Sequence, residues 1–181
     1  MAARYAGYMP RLLLLRHAKA ERSGKGGKGD HDRQLSKRGR NAAADAGRAL
    51  AERRKAIDLV LCSTSQRTRE TWDAVQAATG DEPEMRFLRE LYEAGDTYLD
   101  ILRAEGGEAP SLLLIGHNPT IQATAVALAA EPDSAAATSM ATRFPTAALA
   151  ILDFEGAWAD LRPGAAVLAG FLTTGEDESE G

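Results

Sequence analysis

The stretch Arg11-Leu12-Leu13-Leu14-Leu15-Arg16-His17 decides the interpretation of this chain. Four consecutive leucines lie between charged residues, without the polar alternation of a half-exposed strand. Such a short apolar run is typical of a β-strand that is buried on both faces of a helix-covered sheet. We therefore expect the first strand at residues 11–15, with Arg16 and His17 directly at its end.

Apolar runs and helical segments alternate along the rest of the chain. The patterns predict further strands at residues 57–62, 85–88, 111–115, 147–154 and 165–172. Helices are expected from an N-cap at Ser36 to about residue 55, and at residues 66–78, 98–105 and 119–130. Strands that alternate with helices predict an α/β fold with a largely parallel sheet and helices on both faces.

The chain of 181 residues has room for one domain with a hydrophobic core. We expect an N-terminal extension at residues 1–9, a single domain at 10–174 and an acidic tail at 175–181. No apolar run approaches the roughly 20 residues that span a bilayer. Residues 1–11 lack the apolar core of a signal peptide, and the single Cys62 cannot form an intramolecular disulfide. These features favour a cytoplasmic protein.

Charge is distributed unevenly along the chain. Residues 1–55 hold 15 basic and 5 acidic side chains, whereas the whole chain has 22 basic and 26 acidic ones. Two solvated faces of opposite charge would account for this pattern. Alternatively, a basic loop after His17 attracts an acidic protein or a polyanionic substrate. That loop contains Lys19, Arg22, Lys25, Lys28 and Arg33.

Two of the three histidines follow predicted parallel strands directly. His17 comes after the leucine run, and His117 comes after the strand at 111–115. A single histidine in such a place is most often structural, but ligands bind at this edge of open α/β sheets. Arg16 precedes His17, and Arg67 begins the helix after a third strand. Guanidinium groups match phosphate oxygens with paired hydrogen bonds, so we expect a phosphate pocket here.

The pocket residues also suggest a reaction. A neutral imidazole is a good nucleophile toward phosphorus, and a covalent intermediate divides one difficult displacement into two easier steps. Arginines that hold the phosphoryl group would stabilise the charge of the transition state.

Two other kinds of phosphate or metal site have little support in the sequence. No His, Cys or Asp cluster at ligand spacing accompanies either histidine, so no metal or other cofactor is expected. The Gly-Lys pairs at residues 24–29 lack the following Ser or Thr of a nucleotide-binding P-loop. His31, between Asp30 and Asp32, is interpreted as a solvated loop residue.

An ordered set of motifs resembles the histidine phosphatase superfamily, also called phosphoglycerate mutase-like. The motifs lie in the family's order at Leu15–Ala20, Asp32–Gly39, Ser63–Thr71, Glu90–Tyr92 and Gly116–Pro119. The short chain, the Arg-His-Ala-Lys-Ala-Glu loop and the Gly-His-Asn-Pro motif resemble in particular phosphohistidine phosphatases of the SixA type. The resemblance implies a three-layer sandwich with a mostly parallel central sheet.

The resemblance also implies roles for individual residues. His17 would be the nucleophile that becomes phosphorylated, and Arg16, Arg67 and His117 would complete the phosphate pocket. Glu90 stands where the family has its proton donor, although a surface carboxylate near Arg89, its neighbour in sequence, is nearly as good an interpretation. Asn118 lies beside the pocket at a helix start, where N–H groups also face an anion.

The resemblance implies a metal-independent phosphatase that acts on a protein phosphohistidine or on a phosphomonoester. Its partner would be a phosphohistidine-bearing protein or a small phosphorylated metabolite, with no nucleic acid or membrane involved. A small-molecule phosphomonoesterase, a mutase-like phosphotransferase and a non-catalytic phosphate-binding module are the alternatives. A mutase needs a pocket that excludes water, and the roughly 22 residues between Leu88 and Pro110 leave little room for a cover.

Overall fold

A six-stranded sheet forms the centre of the computed structural model, which describes residues 9–22, 29–53 and 56–174. The strands are β1 (Arg11–Arg16), β2 (Leu59–Ser63), β3 (Glu84–Leu88), β4 (Ser111–Gly116), β5 (Leu149–Phe154) and β6 (Ala166–Leu172). Their order is β3-β2-β4-β1-β5-β6. The first four of these are mutually parallel, and β5 and β6 are antiparallel to their neighbours. The predicted mostly parallel sheet is confirmed.

Helices cover both faces of the sheet because successive leucines of β1 point to opposite sides. Leu12 and Leu14 pack against one group of helices, and Leu13 and Leu15 pack against the other. The helices are α1 (Lys37–Glu52), α2 (Gln66–Thr79), α3 (Glu90–Glu93), α4 (Leu99–Glu105), α5 (Thr120–Leu128) and α6 (Ala135–Thr142). Helices α1 and α2 lie on one face, whereas α4, α5 and α6 lie on the other. This is the predicted three-layer sandwich.

The structure contains two helices that the sequence patterns did not predict. The helix α3 has a single turn. The helix α6 is rich in alanine and has only two buried residues, so it shows no clear apolar face. Its start is defined by Ser134, whose hydroxyl accepts the N–H of Ala137. The predicted N-cap at Ser36 is confirmed, since its hydroxyl accepts the N–H of Gly39.

The ends of three parallel strands meet at one edge of the sheet. In the register of β1 and β4, Arg16 lies opposite Gly116, and β2 ends beside them at Ser63. The residues that follow each strand are therefore brought together. Residues 1–8, the lysines at 25 and 28, and the acidic tail at 175–181 lie outside the described residues. No helix within the described ranges is long and apolar enough to cross a membrane.

Candidate active site

The two strand-end histidines face each other at the edge of the sheet. The ring centroids of His17 and His117 are 5.1 Å apart. The N–H of His17 donates to the carbonyl of Gly116 at 3.0 Å, which continues the β1–β4 ladder by one residue. A side chain at Gly116 would collide with Tyr98, because a Cβ there would lie 2.7 Å from the Tyr98 hydroxyl oxygen. The absence of a side chain at Gly116 thus allows Tyr98 to pack under the site.

The ring of His17 is held in one orientation by the backbone of the next residue. Its Nδ1 lies 2.8 Å from the carbonyl oxygen of Ala18, which can only accept a hydrogen bond. Nδ1 must therefore carry the proton in the neutral ring, and Nε2 keeps its lone pair. Burial is the main cause that lowers the pKa of His17 well below its ordinary value, and the nearby positive charges of Arg67 and Arg16 add to it. At neutral pH, His17 is an uncharged imidazole.

His117 has the opposite assignment of protons. Arg67 Nη2 lies 3.4 Å from His117 Nδ1, and a guanidinium can only donate, so Nδ1 accepts. Nε2 then carries the proton and donates to Ser63 Oγ at 2.8 Å. Burial, followed by the charge of Arg67, lowers the pKa of His117 to about 4. His117 thus provides an N–H donor, and in this structure the N–H is bound to Ser63.

Arg67 lies in the first turn of α2, and only 8% of its side chain is exposed. Its Nη1 donates to the carbonyl of Asp30 at 2.7 Å, and its Nη2 donates to the Asp30 carboxylate at 3.1 Å. Its Nε is buried and has no hydrogen-bond partner among the described residues. A buried N–H without an acceptor is costly, and a bound anion would satisfy it.

Arg16 and Asn118 meet at the connection that leads into β5. Arg16 Nη1 and Asn118 Nδ2 both donate to the carbonyl oxygen of Phe144, at 2.9 and 3.0 Å. The amide nitrogen of Asn118 is therefore engaged within the protein, and its buried Oδ1 has no partner in the described part of the chain. The charge of Arg16 acts on both His17 and His117, which places it beside the phosphate pocket.

Glu90 lies at the start of α3 and is exposed to solvent. The structure gives it no hydrogen bond to any of the four pocket residues within the described ranges. Glu90 is a surface carboxylate, as the alternative interpretation expected, and the adjacent Arg89 pairs with Glu93 through its Nε at 2.7 Å. The assignment of Glu90 as a proton donor stays a prediction.

Three further residues at the mouth of the pocket were not selected from the sequence. Tyr92 packs its ring edge-on against His117 and donates its hydroxyl to Asp30 at 2.9 Å. Burial alone would raise the pKa of Asp30, but hydrogen bonds from Arg33 and Tyr92 and the charge of Arg67 lower it to about 2. His31 contacts Thr64 Oγ1 at 3.0 Å and the ring of Tyr92, while 43% of its side chain is exposed to solvent.

These contacts form a pocket with two layers. The inner layer contains Arg16, His17, Arg67 and His117, and the outer layer contains Asp30, His31 and Tyr92. The inner layer offers two guanidinium groups, an imidazole N–H and an imidazole lone pair, which suit a tetrahedral anion next to a nucleophile. No cluster of three or more His, Cys, Asp or Glu that could hold a metal ion occurs among the described residues.

Comparison with known proteins agrees with this geometry. Residues 12–97 match the family model of the histidine phosphatase superfamily, branch 1. An uncharacterized protein of Mycobacterium tuberculosis is 39% identical over 160 residues, which cover 87% of this chain and 98% of that protein. The chain belongs to the histidine phosphatase superfamily. As a member of this superfamily, it is a phosphatase of the histidine-nucleophile type.

Two solved structures place the chain beside SixA proteins within the superfamily. A candidate phosphohistidine phosphatase SixA of Nakamurella multipartitia has a TM-score of 0.78 and 36% identity, and the alignment covers 91% of this chain and 96% of that one. A corresponding SixA protein of Agrobacterium tumefaciens has a TM-score of 0.75 and 35% identity, over 90% of this chain and 96% of that one. The phosphoglycerate mutase-like fold is confirmed.

Proposed function

We propose that the chain hydrolyses a phosphohistidine on a partner protein, through a covalent phosphohistidine on its own His17. The observation that carries the proposal is the tautomer of His17. Its Nδ1 proton is bound by the Ala18 carbonyl, so the lone pair of Nε2 faces the pocket beside Arg67 and His117. The similarity to SixA proteins supports a phosphorylated imidazole as the substrate.

In the first step, the Nε2 lone pair of His17 attacks the phosphorus atom. A new P–N bond forms on His17 while the P–N bond to the substrate breaks. The substrate ring, which has taken up a proton from solvent on its other nitrogen, leaves as neutral imidazole with the electron pair of that bond. In the second step, water attacks the phosphorus of phospho-His17. The P–N bond to His17 breaks, its electron pair returns to Nε2, and the proton of the water is lost to solvent as orthophosphate is released.

The inner-layer cations would stabilise the phosphoryl group through both steps. Arg16 and Arg67 place two positive charges at the pocket. The Nε2–H of His117, which Ser63 holds in place, adds a donor that a phosphoryl oxygen would share with Ser63. The transferred group carries its negative charge on three equatorial oxygens, which such fixed donors accommodate without reorganisation. An incoming dianion would also raise the pKa of His117 from about 4, because an opposite charge favours the protonated ring.

The outer layer favours a nitrogen leaving group over an alkoxide. An alkoxide has a high pKa and needs a proton donor, whereas imidazole leaves easily once it is protonated. Asp30 lies beside the pocket, but its pKa of about 2 makes it a carboxylate at neutral pH rather than an acid. Glu90 is exposed and has no described contact with the inner layer. The residues around the pocket thus suit a substrate that needs little acid catalysis.

The experiment compares a phosphohistidine-bearing protein with a panel of small phosphate esters at equal concentrations. We expect a higher kcat/KM for the phosphoprotein, and loss of about 10³-fold or more for His17→Ala on every substrate that is hydrolysed. A quench in alkali should trap a phosphoryl group on the peptide that contains His17. A small ester that is preferred by orders of magnitude would favour a phosphomonoesterase instead. Full activity in His17→Ala would contradict the covalent mechanism.

A further inference from the structure

Asp30 reaches the pocket because the loop after His17 returns to it. The two ends of this loop are joined by an antiparallel bridge between Ala20 and Leu35, and the N–H of Glu21 donates to the carbonyl of Gln34 at 2.8 Å. Just before this closure, Asp30 begins a short 3-10 helix that lies against α2. The loop that starts after His17 therefore also carries Asp30, which contacts Arg67.

Two acceptor atoms of Asp30 hold one end of the Arg67 guanidinium. The carbonyl oxygen accepts from Nη1 at 2.7 Å, and the carboxylate accepts from Nη2 at 3.1 Å. The other donor edge of a guanidinium is formed by Nε and Nη2. On that edge, Nη2 lies near His117, and Nε is buried without a partner in the described part of the protein. Asp30 thus occupies the end of the guanidinium, and on the edge that borders His117 only Nε has no partner among the described residues.

The Asp30 carboxylate is itself fixed on both oxygens. Arg33 Nη1 donates to Oδ1 at 2.9 Å, while the hydroxyl of Tyr92 donates to Oδ2 at 2.9 Å. Arg33 is held in turn by the carbonyl of Glu21, which accepts from its Nε at 2.8 Å. A carboxylate with this many donors has little freedom to leave Arg67 when a phosphoryl group enters the pocket.

We propose that Asp30 is a positioning residue that holds Arg67 with its Nε–Nη2 edge directed at the phosphoryl group. Arg67 has a long side chain, and an anion that had to immobilise it on binding would lose affinity. Asp30 holds it in place before the anion arrives. The inference rests on the proposed function in one respect, since it takes Arg67 as a ligand of the phosphoryl group.

The test uses a pair of variants with the same charge. Asp30→Asn and Asp30→Ala both remove the negative charge, but only asparagine keeps a side-chain oxygen that accepts from Arg67. We expect Asp30→Ala to bind orthophosphate roughly three- to tenfold more weakly than Asp30→Asn, which is the cost of ordering one long side chain. In the Arg67→Ala background, this difference should disappear. The binding constants are measured by isothermal titration calorimetry, so no substrate is needed.

Asp32 supplies the matched control. It lies two residues further along the same 3-10 helix and contacts His31 rather than Arg67. Asp32→Asn and Asp32→Ala should therefore bind orthophosphate equally. If Asp30→Ala does not fold, Tyr92→Phe provides the second variant, because it removes one of the two hydrogen bonds to Oδ2 of Asp30 and leaves the loop residues unchanged. Its loss of orthophosphate affinity should likewise vanish in the Arg67→Ala background.

The outcomes separate the two proposals. Equal orthophosphate affinity in Asp30→Asn and Asp30→Ala would overturn the positioning role, and so would a difference that persists without Arg67. Either result leaves the proposed phosphatase reaction intact as long as the wild-type protein binds orthophosphate. A wild-type protein that binds no orthophosphate, together with inactivity on phosphohistidine, would contradict the proposed function itself.

Discussion

Lowering the pH from 7.5 to 5.0 should destabilise the fold through the buried histidine His117. Its pKa falls from an ordinary 6.5 to about 4 because the ring is buried and lies near Arg67. Between these two values the unfolded chain takes up a proton that the folded protein does not bind. The stability that the uncharged His117 contributes is therefore fully present above pH 6.5. The free energy of unfolding decreases as the pH falls from 6.5 toward 4.

The size of this effect follows from the two pKa values. One pKa unit corresponds to about 1.4 kcal/mol, so the interval from 6.5 to 5.0 gives a ceiling of about 2 kcal/mol for His117. Partial solvent screening of the ring reduces this figure to about 1 kcal/mol. His17 acts in the same direction, because burial also lowers its pKa well below 6.5.

Urea unfolding at pH 7.5, 6.0 and 5.0 measures the prediction, with the slope m checked for constancy. The urea concentration at the midpoint of wild-type unfolding should fall as the pH is lowered. The midpoint of His117→Gln should fall less, and that of the double variant His117→Gln/His17→Gln should fall least. This window lies above the ordinary pKa of carboxyl groups. A wild-type midpoint that does not change would refute the reasoning. So would a His117→Gln variant as sensitive to pH as the wild type.

Three further substitutions test other parts of the site. Ser63→Ala removes the acceptor of the His117 Nε2 proton. We expect kcat/KM for phosphohistidine to fall roughly three- to tenfold, which corresponds to the loss of about one hydrogen bond. An unchanged kcat/KM would show that Ser63 does not orient the ring. Gly116→Ala should lower the free energy of unfolding by about 1–3 kcal/mol through its collision with Tyr98, as measured by urea unfolding. Gly95→Ala is the comparison, because a Cβ there meets nothing within 4 Å. Glu90→Gln should change phosphohistidine hydrolysis less than about twofold, because the leaving imidazole needs little acid catalysis; a loss above tenfold in steady-state kinetics would restore Glu90 as the proton donor.

The inner layer of the pocket could be predicted because it depends on positions along strands. The strands β1 and β4 each end one residue before a histidine, and parallel strands carry their ends to the same edge. Arg67 follows from the same rule, since it begins the helix after β2. Local pattern and sheet geometry were sufficient for these residues.

The outer layer could not be predicted, because its contacts join distant parts of the chain. Tyr92 and Asp30 are 62 residues apart and meet only when α3 and the loop after His17 pack over the pocket. The glycines and charges at residues 23–30 show no periodicity that would indicate a return to the site.

The shared hydrogen bonds at Phe144 have a consequence for the way this protein can be divided. Every family motif lies before residue 120, yet the carbonyl that orients Arg16 and Asn118 belongs to Phe144. The strand β5, which follows, pairs with β1 along its whole length and covers the edge opposite β4. A fragment that ends after α5 would keep each recognisable motif but lose the backbone carbonyl that accepts a hydrogen bond from Arg16. The smallest working unit is therefore set by the last third of the chain, where the sequence carries no signature at all.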